Sequence, residues 1–125
     1  MLPYSEEAMG FLAAWSGALL ADPSVRQFPD AVTFAFWCRR SNLQRLKEDA
    51  RLEPGRLGRG VVFHIAPSNI PVNFAFSFAF GLLAGNANIV RLPSAEHPQA
   101  ALLCDTCRKA LERFPGILCR TAWVR

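Results

Sequence analysis

The chain is short of charge where it is most apolar. Residues 61–90 contain no Lys, Arg, Asp or Glu, although charged residues make up 19% of the 125-residue sequence. Such a stretch is expected to be buried. Cysteine is scarce as well. Cys38, Cys104, Cys107 and Cys119 are too few and too irregularly spaced for the disulfide framework of a small secreted domain. The Cys104–Cys107 spacing matches C-x-x-C but falls well inside a predicted helix. It lies far from the helix N-terminus that a redox pair needs, and no second ligand pair completes a zinc site, so both read as core cysteines. No Walker loop is present, nor a G-x-G-x-x-G leading into a helix, so Gly55, Gly58 and Gly60 mark only a connection. Internal repeats and low-complexity tracts are missing too.

Two further absences narrow the class. The uncharged stretch is interrupted by Pro67, Asn69, Pro71, Asn73, Gly85, Asn86 and Asn88, which leaves a clean apolar run shorter than the roughly 18 residues of a membrane span. The apolar residues 11–21 follow Glu6 and Glu7 where a signal peptide would carry positive charge, so a cytoplasmic location is expected. The formal charge of +4 is modest. Lys and Arg are scattered over 39–59 and 108–125, while most Phe residues sit inside apolar runs where they cannot stack on bases. No nucleic-acid partner is expected.

What is present is organised around residues 60–94, GVVFHIAPSNIPVNFAFSFAFGLLAGNANIVRLPS. Val61–Ile65 is rich in β-branched and aromatic residues and stops at Pro67, which predicts a strand buried on both faces. Residues 87–92 repeat that character. Between them, Phe74, Phe76, Phe78 and Phe80 alternate like a strand but also form helical i,i+4 pairs. Pro71 suits a first helical turn and Gly85 the position just past a helix end, and parallel neighbours need a crossover of about this length. A helix over 71–84 is therefore predicted, completing a βαβ unit.

The flanks supply the remaining elements. Ser5 can cap a first helix running to about Leu20, with Glu6 and Glu7 in its opening turn. A second is predicted from near Asp30, with Val32, Ala35, Phe36, Leu43 and Leu46 on one stripe and Arg39, Arg40, Lys47 and Glu48 outward. Ser94 can cap a helix over 96–113 with Leu103, Cys107, Ala110, Leu111 and Phe114 inward and Asp105 paired outside with Arg108 or Lys109. Strand character resumes over 117–124. The expected fold is α/β, with a helical segment at 1–50, a loop at 51–60 and an incomplete, Rossmann-like parallel βαβαβ unit at 61–125.

At the level of motif, Pro67-Ser68-Asn69-Ile70-Pro71, Ala84-Gly85-Asn86 and Arg91-Leu92-Pro93-Ser94 follow one another in the order seen in the aldehyde dehydrogenase superfamily. The wording of these thirty-five or so residues resembles the acyl-CoA reductase branch, the LuxC-type enzymes. That resemblance implies the N-terminal, cofactor-binding part of an NADPH-dependent reductase that converts an acyl-CoA or acyl-protein thioester to an aldehyde. The nucleophilic Cys would then lie in a later domain, since none of the four cysteines matches its position, and the full-length protein would be a homo-oligomer. A rival from another class is a non-catalytic nucleotide-binding or assembly module that keeps the βαβ core.

Each candidate site residue has two readings. Asn69 precedes the predicted helix and would be a good N-cap. In the superfamily, its counterpart stabilises the oxyanion of the reacting carbonyl. Arg91 can simply close a strand. The resemblance places it with Ser94 at the adenosine ribose, where a neutral Ser beside a cation leaves a 2′-phosphate welcome. Ile65, Ala66, Pro67 and Ser68 are the implied cofactor contacts at the first strand's end. His64 and His97 have no Ser or Cys placed by sequence as a nucleophile partner.

Overall fold

The computed structural model describes residues 1–124. The chain is α/β, with N-terminal helices followed by a three-stranded parallel sheet in the order β1-β2-β3. Its elements are α1 (Glu6–Ala21), α2 (Pro29–Trp37), α3 (Arg40–Ala50), β1 (Val61–Ile65), α4 (Asn73–Leu83), β2 (Ala87–Arg91), α5 (Pro98–Leu111), α6 (Pro115–Leu118) and β3 (Thr121–Val124), with a 3₁₀ turn at Pro23–Gln27. The phenylalanine-rich segment is a helix. Its flanking strands are adjacent and parallel, with Val61 opposite Ala87 and Ile65 opposite Arg91.

The N-terminal start is set by local chemistry. Ser5 Oγ accepts from Ala8 N–H at 3.1 Å, and Glu6 and Glu7 occupy the first turn. Glu6 also pairs with Arg40 of α3, whose guanidinium holds its carboxyl below the usual range. The helix predicted from Asp30 onward is two helices, broken at Cys38 and Arg39. Arg39 is extended there (φ −64°, ψ 143°), and the amide of Asn42 donates to Trp37 O at 2.7 Å across the break. Helix α2 buries Ala31, Phe34 and Ala35, which leaves Phe36 off the expected stripe and exposed, with the Arg39 guanidinium over its ring at 5.3 Å.

The core is aromatic and runs from the sheet through α4 into α1 and α2. Trp123 of β3 meets Phe78 at 5.0 Å between ring centroids, and Phe78 meets Phe11 and Trp15 at 6.1 and 6.0 Å. Trp15 then meets Phe34 at 4.8 Å, and Phe34 meets Phe76 at 4.9 Å. Each such ring, when buried, contributes about 1.5–3 kcal/mol by leaving water, and edge-on pairs add about 0.5–1.5 kcal/mol. The indole N–H of Trp15 is satisfied by Thr106 Oγ1 at 3.0 Å and Leu103 O at 3.2 Å, which ties α1 to α5. Cys38 and Cys107 are buried in this core, and desolvation raises both thiols well above their ordinary range. Cys107 is a core filler, as the sequence suggests, and so is Cys38, while Cys104, read from the sequence as a core cysteine too, is only half-buried.

Beneath the sheet sits a polar network. His64 Nε2 lies 2.7 Å from Asn88 Oδ1, an acceptor, because Asn88 Nδ2 donates to Asn86 O at 2.9 Å. Nε2 therefore carries a proton, and Nδ1 meets Ser77 Oγ of α4 at 2.7 Å. Gly81 gives this cluster room, since an added Cβ would run into Asn88 Oδ1.

Three further expectations are corrected. The strand Val61–Ile65 is covered on one face only: His64 is buried, while Val61, Phe63 and Ile65 are 69%, 53% and 66% exposed. A β-branched run records that both faces suit burial; it does not say on which side this chain lays its helices. Ser94 caps nothing, because α5 starts four residues later at Pro98 with His97 as N-cap. The strand expected over 117–124 is shorter. Pro115 sits in the first turn of the short helix α6, which buries Ile117, and β3 begins at Thr121.

Candidate functional site

The ends of the strands differ in kind. At their carboxyl ends Ile65 and Arg91 are level in the ladder, so the loops 66–72 and 92–97 leave the sheet side by side. In open parallel sheets this end is where ligands sit. The two loops enclose a depression of about 70 Å³ lined by Ala66, Ser68, Arg91, Leu92, Pro93 and Ser94. A larger cleft of about 530 Å³ adjoins it, shares Leu92, Pro93 and Ser94, and continues along α5 past His97, Ala101, Cys104 and Arg108.

Four of the seven residues singled out from sequence thus meet in one small hollow: Ala66, Ser68, Arg91 and Ser94. Arg91 ends β2 exposed. Neither of the ion pairs among the described residues, Arg40–Glu6 and Arg108–Asp105, uses its guanidinium. The other three stand apart. Ile65 alternates onto the bare face of the sheet with Phe63, and Pro67 and Asn69 are exposed in the loop. Helix α4 begins at Asn73 with Val72 as N-cap, so the capping role considered for Asn69 is not realised. The loop turns instead on Ile70 N–H to Pro67 O at 3.4 Å and Asn73 N–H to Ile70 O at 3.2 Å.

Sequence reasoning missed His97. Its Nε2 lies 2.9 Å from Ser68 O and joins the two loops. A His-Pro pair at a helix start signals a boundary, but nothing in the linear sequence points to a carbonyl 29 residues earlier. The network at His64, Ser77 and Asn88 was also invisible, since its members come from three different elements.

Chemically, the hollow offers a cation, a hydroxyl and backbone at strand ends, a donor set suited to an anion such as a phosphate. No cysteine lines it: Cys38 and Cys107 are buried with raised pKa, Cys104 is half-buried in the wall of the larger cleft, and Cys119 is exposed at the far end of the sheet, its Sγ 3.3 Å from Gly116 O. No group of three or more His, Cys, Asp or Glu among the described residues could hold a metal ion. No described helix is long and apolar enough to cross a membrane.

A parallel βαβαβ unit with an anion-suited hollow at its carboxyl end belongs to the Rossmann-like class of α/β structures. The family model for acyl-CoA reductase (LuxC) matches residues 39–112, more than half of the chain, and the protein belongs to that family. No curated protein and no solved structure gives a significant match.

Proposed function

We propose that this chain is the N-terminal, cofactor-binding part of an NADPH-dependent acyl-CoA reductase. Membership of the acyl-CoA reductase family supports the reaction class, the reduction of an acyl thioester. The observation that carries the cofactor assignment is the meeting of Arg91 and Ser94 with Ala66 and Ser68 in one polar hollow at the strand ends. Its volume suits a phosphoryl group, and the adjoining cleft, walled by Leu92, Pro93, Pro98 and Ala101, suits the flat apolar face of a nucleoside. Because α5 begins only at Pro98, the Arg91 guanidinium and the Ser94 hydroxyl, rather than helix N–H groups, would hold the 2′-phosphate.

In this reading Ile65, Ala66, Pro67 and Ser68 present the end of β1 to the dinucleotide, whose nicotinamide supplies hydride when bound. Asn69, exposed in the loop, is free to turn its amide toward the thioester carbonyl and stabilise negative charge on that oxygen. The nucleophilic thiol comes from outside this chain, so the chain alone is expected to show no acyl-CoA-dependent NADPH oxidation. The substrate is an acyl-CoA or acyl-protein, and the reductase is a cytoplasmic homo-oligomer.

The test is a titration of wild type and Arg91→Ala with NADPH and NADH. Loss of the guanidinium should weaken NADPH by about 1–3 kcal/mol and leave NADH nearly unchanged. Equal weakening of both would remove the assignment of the hollow to the 2′-phosphate. If neither cofactor binds the wild type, the assembly-module alternative takes its place.

A further inference from the structure

His97 stands at the meeting of the two loops, and no role above uses it. It is the N-cap of α5, extended at φ −129° and ψ 127°, and the cap makes no side-chain hydrogen bond to its own helix. The ring points back to the loop after β1 instead, with Nε2 2.9 Å from the carbonyl oxygen of Ser68. A carbonyl only accepts, so Nε2 carries the proton and donates. The accepting oxygen belongs to the peptide that joins Ser68 to Asn69, so the bond fixes the plane from which Asn69 departs. The loop's own bonds, Ile70 N–H to Pro67 O and Asn73 N–H to Ile70 O, are local and cannot set its attitude to the rest of the site. His97 does so from a segment that carries Ser94 three residues earlier and lines the larger cleft.

From this we infer that His97 is a positioning residue for the reduction: its Nε2–H tethers the Asn69 loop to the Arg91–Ser94 segment, holding the oxyanion donor in register with the bound dinucleotide. The inference rests on the function proposed above. Its geometric half, the tether, stands on the hydrogen bond alone. A donor held a fraction of an ångström out of place loses much of its effect on a developing charge, so such a tether acts on turnover rather than on affinity.

The test compares His97→Phe, which keeps the ring volume without a donor, with His97→Gln, whose amide nitrogen can reach the position of Nε2. In this chain, His97→Phe should speed hydrogen exchange at the Ile70 and Asn73 amides about tenfold or more, with the amides of α1 unchanged and His97→Gln close to wild type. In the full-length reductase, His97→Phe should lower kcat about tenfold or more with KM and NADPH Kd within about twofold, and His97→Gln should recover most of it. Unchanged exchange in His97→Phe would overturn the tether. Changed exchange with normal kcat, or a kcat loss that His97→Gln does not recover, would overturn the positioning role. Asn69→Ala serves as the separate control: normal turnover there counts against the function proposed for the site, while the exchange comparison still reads the tether.

Discussion

The two ends of the same pair of strands are built to opposite ends. Where β1 and β2 begin, the structure is closed. Asn86 Oδ1 accepts from Arg59 N–H at 2.6 Å and from Gly60 N–H at 3.3 Å, Gly58 N–H donates to Met1 O at 3.1 Å, and Tyr4 N–H donates to Leu83 O at 2.7 Å. Gly85 takes φ +91° with Met1 O packed so close that a Cβ has no room. Where the strands finish, the loops stand open around two hollows, Arg91 and Ser94 are exposed, and one side-chain bond from His97 joins the two sides. Satisfied backbone and close packing are what stability requires of an end; exposed donors and spare volume are what a ligand requires. The contrast is between an amino end closed by packing and a carboxyl end left open, the end at which ligands sit in open parallel sheets.

That contrast can be broken from either side. The largest effect is expected at the open end: in the full-length reductase Asn69→Ala should lower kcat about a hundredfold or more, worth about 3 kcal/mol of barrier, while cofactor affinity stays nearly unchanged. Denaturant unfolding of this variant should stay within about 0.5 kcal/mol of wild type, since Asn69 is exposed and Val72 is the cap. A stability loss with normal turnover would place Asn69 on the structural side of the comparison.

At the closed end the signs reverse. Asn86→Ala removes the acceptor of two backbone N–H groups and should cost about 2 kcal/mol of unfolding free energy, with NADPH affinity unchanged. Gly85→Ala, which places a Cβ at a positive φ against Met1 O, should cost about 1–2 kcal/mol in the same measurement. If either variant were as stable as wild type, the closed end would hold the fold less firmly than its geometry implies.

The smallest effect is expected on the bare face of the sheet. Phe63 is 53% exposed there, so Phe63→Ser should change stability by no more than about 0.5–1 kcal/mol, read by urea midpoint. A loss comparable to the 3–5 kcal/mol of a buried Phe would show that this face is covered in solution.

Much of this was legible in the linear order of residues. The βαβ unit could be read because an uncharged stretch between two β-branched runs, with Pro71 and Gly85 at its borders, leaves a crossover helix as the one solution for parallel neighbours. The cap at Ser5, the buried Cys107 and the Asp105–Arg108 pair at 3.8 Å are local or periodic features, and each is present. The gathering of Arg91 and Ser94 near Ala66 and Ser68 follows once β1 and β2 are neighbours, because Ile65 and Arg91 then end level.

Other features depended on packing between distant segments. The break at Cys38–Arg39 has no Pro or Gly to announce it. Which face of β1 is covered was decided by the side on which α4 packs, and an apolar strand is silent on that. The shift of the α5 start from Ser94 to Pro98, and with it the turning of His97 onto Ser68, depends on where the loop after β1 lies in space. Composition and short-range spacing determined the first helix, the three strands and the helices that cross between them, because those are set by local sterics and hydrophobic periodicity. Tertiary structure alone decided the bare face, the closed end at Asn86 and the tether at His97, because a hydrogen bond between residues 29 apart has no local signature.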